Sequence, residues 1–275
     1  MNNIIISCRL INQSLFWLNL PDLYKMKNFY IISLAMLFVL KLQAQVSVKD
    51  SAVFSPIIYA TYSYQIPGGD MAKRFGNNSA IGGGFEIKTK KNWLFGVEGN
   101  YLFAEKVKNE ESILSGISTS DGYQITVDGE YADVFFREQG YILSLKAGKI
   151  IPVLNPNPNC GIMVTLQPGF IQHKIKIVNS GNTVPQLHGD YKKGYDEMSS
   201  GFSITEFLGY MYMGNKRLVS FYAGFEFTQA FTKCRREYNF NTMSRDTKQK
   251  YDYFYGIRIG WLIPLYKRAP AGYYF

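Results

Sequence analysis

Residues 252–265 read DYFYGIRIGWLIPL, and in this stretch every second residue is large and apolar. Tyr253, Tyr255, Ile257, Ile259, Trp261, Ile263 and Leu265 share one face of an extended chain, while Asp252, Gly256, Arg258 and Gly260 share the other. A repeat of two is the signature of a β-strand with one greasy face. The pattern recurs in Val219, Phe221, Ala223, Phe225 and Phe227 against Ser220, Gly224, Glu226 and Thr228. It recurs again in Trp93, Phe95, Val97, Tyr101 and Phe103 against Gly96, Glu98 and Asn100.

Extended along the chain, this reading predicts strands over 55–66, 79–89, 92–104, 139–151, 160–173, 200–213, 217–231 and 251–265. Each is long enough for a tilted strand to cross a bilayer. In the sixth, Glu206 shares a face with Phe202, Ile204 and Leu208, so the lipid-facing side stays open there. The connections 67–78, 105–138, 174–199 and 232–250 are long and alternate strictly with the short ones 90–91, 152–159 and 214–216. Outer-membrane barrels alternate in this way, with short periplasmic turns and longer external loops. The expectation is an all-β, antiparallel, up-and-down transmembrane barrel of about eight strands in a bacterial outer membrane.

Side-chain size decides which face points inward. Eight strands leave an interior just wide enough to be filled by side chains. The greasy rows carry the bulky aromatics Trp93, Phe95, Tyr101, Phe221, Phe225, Tyr253, Tyr255 and Trp261, which are assigned to lipid. The opposite faces carry Gly82, Gly84, Gly96, Gly148, Gly224, Gly256 and Gly260, with Glu86, Glu98, Lys146, Glu226 and Arg258 among them. Charges withdrawn from water must be paired. These five are expected to form a lumen network, with Glu226 and Arg258 as its leading contact. A filled lumen favours a plug over an ion pathway.

Composition agrees with export and a membrane wall. The chain has 21 Tyr and 20 Phe against 3 Trp, a bias that suits strands and membrane interfaces better than helices. From Met26 the sequence MKNFYIISLAMLFVLKLQAQ reads as a secretory signal, with Lys27 before an apolar run from Phe29 to Leu40 and Ala44 as a small residue for cleavage. That run is too short to span a bilayer. Residues 1–44 are therefore expected to be a leader, with 26–44 the signal and 1–25 a misassigned start, and 45–275 a single barrel domain. The net charge of +9 falls to +6 without the leader, and the basic residues do not line up with stacking aromatics, which argues against nucleic acid. Cys160 and Cys234 remain. The topology puts them at opposite ends of an apolar band of about 25 Å, so two free thiols are expected.

Signals for chemistry are sparse. His173 and His188 have no metal-ligand neighbours at helical or hairpin spacing, and the glycines at 68–69 and 82–84 do not open a helix after a buried strand. No enzyme, metal or cofactor is expected. His173, near the outer end of its strand, is expected to be an ordinary interface histidine; a lipid-modifying hydrolase, in which it would face lipid, is the weaker reading. Asp121, Asp128, Glu130 and Asp133 lack the spacing of a calcium loop. The connections 105–138 and 174–199 are long enough to be functional. The first contains YQITV and ADVFF as a further hairpin, and the second carries Lys174, Lys176, Lys192 and Lys193. Extended edges suit protein partners, and basic loops suit lipopolysaccharide.

The ending LQAQ with Gln45 as the new terminus, the stretch GGDMAKRFGNNSAIGGGFEIKTKKNWLFGVEGNYLF from Gly68 to Phe103 and the closing GIRIGWLIPLY together resemble the small outer-membrane β-barrel proteins of Bacteroidetes-type bacteria, the group that includes PorT-like proteins. The resemblance covers nearly all of the chain after the leader, and its motifs specify architecture rather than activity. It implies an integral outer-membrane protein, in some members an accessory of secretion or assembly machinery. One departure stands at the end of the chain, where Pro264 and Pro270 separate the terminal aromatic Phe275 from the last predicted strand. Two functions are carried forward: a structural or partner-binding barrel, and a conduit or carrier for small molecules.

Overall fold

The computed structural model describes residues 45–46, 51–154, 157–214, 219–265 and 267–268. The expected leader and signal over 1–44, and the tail ending at Phe275, lie outside the described residues.

Eight antiparallel strands close into a barrel: β1 (Ser55–Gly69), β2 (Asn78–Lys88), β3 (Trp93–Ala104), β4 (Val134–Ile151), β5 (Gly161–Asn179), β6 (Ser199–Met213), β7 (Ser220–Cys234) and β8 (Gln249–Pro264). Each strand pairs with the next, and β8 pairs back onto β1, so no edge is left open. Closure matters because an unpaired sheet edge is not tolerated in hydrocarbon. The ladder row that starts at Tyr59 runs through Gly84, Glu98, Ser144, Gly169, Ser203, Ala230 and Asp252 and returns to β1 at Gly69. The return from residue 59 to residue 69 is a stagger of ten residues, which for eight strands tilts them by about 40° to the axis.

Alternation in the sequence becomes alternation in burial, and the wall identifies its own solvent. Outward residues include Phe225 at 70% exposure, Leu145 at 64%, Ile257 at 59% and Leu143 at 57%. A water-soluble protein rarely bares contiguous apolar surface on this scale. Here it encircles the barrel, so the surrounding medium is lipid. The strands and connections agree with the sequence reading to within a few residues, except at the long hairpin of β4 and β5.

There the strands continue well past the membrane girdle, because Val134 pairs with Asn179 and Phe136 with Ile177. This corrects three expectations. The loops are shorter, spanning 105–133 and 180–198. The segment ADVFF supplies the start of β4 rather than half of a separate hairpin, and what remains of that hairpin is the bridge Ile125 to Tyr131. Lys174 and Lys176 lie on β5 itself rather than in a loop. The cause is packing, since the inward Ile175 and Ile177 are covered by residues of the loops and so keep the ladder dry beyond the bilayer.

Among the described residues Cys160, at the turn end, and Cys234, at the loop end of β7, are both free. Burial is the main cause holding the Cys160 thiol above its ordinary pKa, against the Asn157 and Met213 backbone contacts that lower it. Since the thiolate is the reactive form, Cys160 is expected to resist maleimide in folded protein at pH 7.5 while the half-buried Cys234 is modified. Peptide mapping by mass spectrometry checks this; faster modification of Cys160 would be the contrary result.

Candidate functional site

The interior is filled in three layers. At the turn end, Leu94, Ile150, Met163, Phe207, Met211 and Leu262 form an apolar base. Beneath it, Lys88 Nζ donates to Asn159 Oδ1 at 2.7 Å and to the Val53 carbonyl at 3.3 Å, tying the segment before β1 across the mouth.

Above the base lies a charged layer that contains all five residues singled out for the lumen. Arg258 on β8 is its hub. Its guanidinium donates to Glu98 Oε1 at 2.6 Å, sits 2.5 Å from Glu226 Oε2 and donates to Ser63 Oγ at 3.2 Å. Lys146 Nζ is 2.8 Å from Glu86 Oε2 and 3.8 Å from Glu98 Oε2, and it lies over the rings of Tyr59 at 4.3 Å and Tyr222 at 5.1 Å. Neutral donors complete the carboxylates: Tyr59 Oη and Asn100 Nδ2 to Glu98 at 2.9 and 2.7 Å, and Gln65 Nε2 to Glu226 at 2.7 Å. Every charged side chain in the layer is essentially inaccessible to solvent.

The third layer closes the loop end. Met71, Phe75, Leu102, Ile171, Phe254 and the loop residues Val107, Leu114, Val184, Leu187 and Tyr195 form one buried apolar cluster. The long loops therefore fold down over the barrel mouth. An Arg236 to Asp196 ion pair joins two of them, and Asp70 Oδ2 accepts from the Tyr251 backbone N–H at 2.9 Å. Under the cap, Asp252 accepts from Thr232 Oγ1 at 2.6 Å and meets His173 Nε2 at 3.1 Å, with Arg74 Nη2 at 4.0 Å. His173 is thus fully buried in the lumen. An interface or lipid-facing histidine is overturned, and with it the arrangement on which the hydrolase reading depended. Its position after Ile171 and before Ile175 on the inward face carried that signal.

On the outer wall, Trp93, Phe95, Tyr101, Phe221, Phe225, Tyr255 and Trp261 are exposed, and Tyr253 is partly covered beside Phe227 at a ring separation of 6.1 Å. The sequence reading missed Lys88, two residues from Glu86 and so on the same face, and the inward tyrosines Tyr59 and Tyr222. Glycine makes room for them: a Cβ at Gly260 would overlap the Tyr222 ring, and one at Gly84 would sit 2.6 Å from Tyr59 Oη.

A closed, eight-stranded antiparallel barrel with an apolar exterior and a polar, filled interior is an outer-membrane β-barrel. No protein-family model matches the sequence. No curated protein matches it either. Among solved structures, the chain is similar to Ail, the attachment invasion locus protein of Yersinia pestis, in complex with the heparin analogue sucrose octasulfate, with 11% identity over 76% of this chain and 98% of that one and a TM-score of 0.39. It is likewise similar to Neisserial surface protein A, at 12% identity over 76% and 96% with a TM-score of 0.40, and to OprG from Pseudomonas aeruginosa, at 11% over 78% and 99% with a TM-score of 0.34. The assignment of the fold rests on the closed pairing register itself.

Proposed function

We propose that this barrel is a non-conducting structural or partner-binding component of the outer membrane, and that it serves as an accessory subunit of an assembly or secretion complex. The observation that carries the reading is the stack of three layers of buried side chains across the lumen, which leaves a small-molecule conduit without a path. Export through the signal at 26–44 and the resemblance to PorT-like barrels support the same placement. Catalysis has no support from the buried His173. Binding is assigned to the cap formed by 105–133 and 180–198, whose outer surface bares Tyr123, Val127, Tyr131 and Tyr191. Exposed tyrosines are favoured anchors at protein interfaces. Lys174 and Lys176, above the girdle on β5, suit anionic lipopolysaccharide headgroups.

The test is isolation of the tagged protein from its native outer membrane in mild detergent, with quantification of whatever co-purifies. A fixed-ratio partner that is lost when Tyr123, Val127 and Tyr131 are all replaced by Ser is the expected result. Isolation as a bare monomer under cross-linking conditions would contradict it.

A further inference from the structure

The outer wall contains one feature that lipid does not explain. On β6 the outward set is Phe202, Ile204, Glu206, Leu208 and Tyr210, while Ser203, Thr205, Phe207 and Met211 point inward. Glu206 is therefore a lipid-facing acid. Phe202, four residues away, is level with Phe170 and Phe231 in the loop-end girdle, and Tyr210, four residues the other way, hydrogen-bonds the Leu154 carbonyl in the turn below. Four residues are about 13 Å of strand, so the carboxyl stands in the middle of the apolar band. Its cross-strand neighbours are Leu166 and Phe227, and among the described residues it has no ion pair or hydrogen bond.

A second polar defect adjoins it. The ladder between β4 and β5 skips Leu145 opposite Pro168 and Lys146 opposite Gln167. Proline has no N–H, so the Leu145 carbonyl receives no donor from that rung. Pro168 lies diagonally beside Glu206 on the outward face. The middle of this wall thus offers two acceptors in a shallow groove lined by Leu166, Leu208, Phe225 and Tyr255, whose one base, Lys149, stands at the turn-end side with its ammonium over the Trp93 ring.

An ionisable group facing hydrocarbon is costly and is normally met by a partner. A second copy of this chain does not supply one. Its outward bases among the described residues are Lys149, which lies 5.2 Å over Trp93 at the turn end, and Arg137, Lys174, Lys176 and Lys233 beyond the loop-end girdle. Copies inserted in the same direction would bring equal depths together, and the nearest outward base among the described residues, Lys149, is one outward position toward the turn end from the rung of Glu206 and is turned onto Trp93.

We propose that the wall centred on Glu206 docks a second membrane-spanning chain that presents a lysine or arginine at the middle of its own lipid-facing surface. This deepens the partner-binding reading and rests on it, while placing the contact within the bilayer instead of on the loops.

The experiment places a benzophenone side chain at Leu208, with Ile81 on another part of the wall as the control site, and irradiates native outer membranes. Capture from Leu208 and not Ile81 of a spanning segment that carries Lys or Arg at the cross-link is the expected result. Glu206→Leu should cut the yield about tenfold or more while the barrel still runs as a folded species in unheated gels. Glu206→Lys should also abolish capture, and changing the mapped base to Glu should restore it. Cross-linking to a second copy, to lipid only, or to a segment without a base would overturn the site, as would equal yields from Glu206→Leu. A partner that is lost on altering the cap but is indifferent to Glu206→Leu would overturn this site alone and leave the loop reading intact. The absence of any captured or co-isolated protein would remove both.

Discussion

Arg258→Ala is expected to destabilise the folded barrel by about 3–5 kcal/mol, because it strands Glu226 as a buried carboxylate with no cation and leaves Glu98 with only the longer contact to Lys146 at 3.8 Å. Lys146 cannot serve Glu226 as well, since it is already 2.8 Å from Glu86 and 3.8 Å from Glu98. The physical content lies in the asymmetry between breaking a buried pair and removing it altogether. The triple variant Arg258→Met, Glu98→Gln, Glu226→Gln discards the charges together and should recover most of the loss. Urea unfolding in lipid vesicles, followed by the fluorescence of Trp93 and Trp261, measures both. A single variant within about 1 kcal/mol of wild type would show that the layer is reached by water.

Gly260→Leu is the second large effect, and it probes the boundary between the charged layer and the apolar base. An added Cβ overlaps the Tyr222 ring, which is buried edge-on against Phe207 at 5.3 Å and lies under Lys146. The ring cannot retreat without disturbing both layers. Overpacking of this kind costs about 1–3 kcal/mol or more, and in a closed barrel the relief available is small. Failure to reach the folded form in vesicles, or a loss at the upper end of that range, is expected. The compensating variant Gly260→Leu with Tyr222→Ala should fold substantially better than Gly260→Leu alone. Equal folding of the two would place the clash elsewhere.

The strands were legible because lipid on one side and a narrow lumen on the other impose a strict period of two, as in Ile257, Ile259 and Trp261 against Gly256, Arg258 and Gly260. The lumen charges were legible for the same reason, each being a charge on a row of small or polar residues. Two kinds of residue escaped. Glu206 was ambiguous because both faces of β6 mix polar and apolar groups: Thr205 and Phe207 point inward, Glu206 and Leu208 outward. Position alone could not say whether the acid or the threonine met lipid, and the pairing of neighbouring strands decided it. The ends of β4 and β5 escaped because past the girdle the constraint changes from lipid to the loop cap, which accepts Ile175 and Ile177 from one side and leaves Lys174 and Lys176 in water. His173 was readable by parity, and the error lay in treating the rim of the strand as interface when the cap extends the interior above it.

In the proposed function, partners meet the wall and the cap, and the filled lumen passes nothing through the middle. The most direct measurement of that claim is single-channel recording of the folded, full-length protein in planar bilayers in 1 M KCl. Insertions without unitary current steps above the membrane leak are expected, and steps are expected to appear once the charged layer is broken by Arg258→Ala together with Lys146→Ala. Reproducible unitary conductance from the wild-type protein would contradict it and would restore the conduit reading.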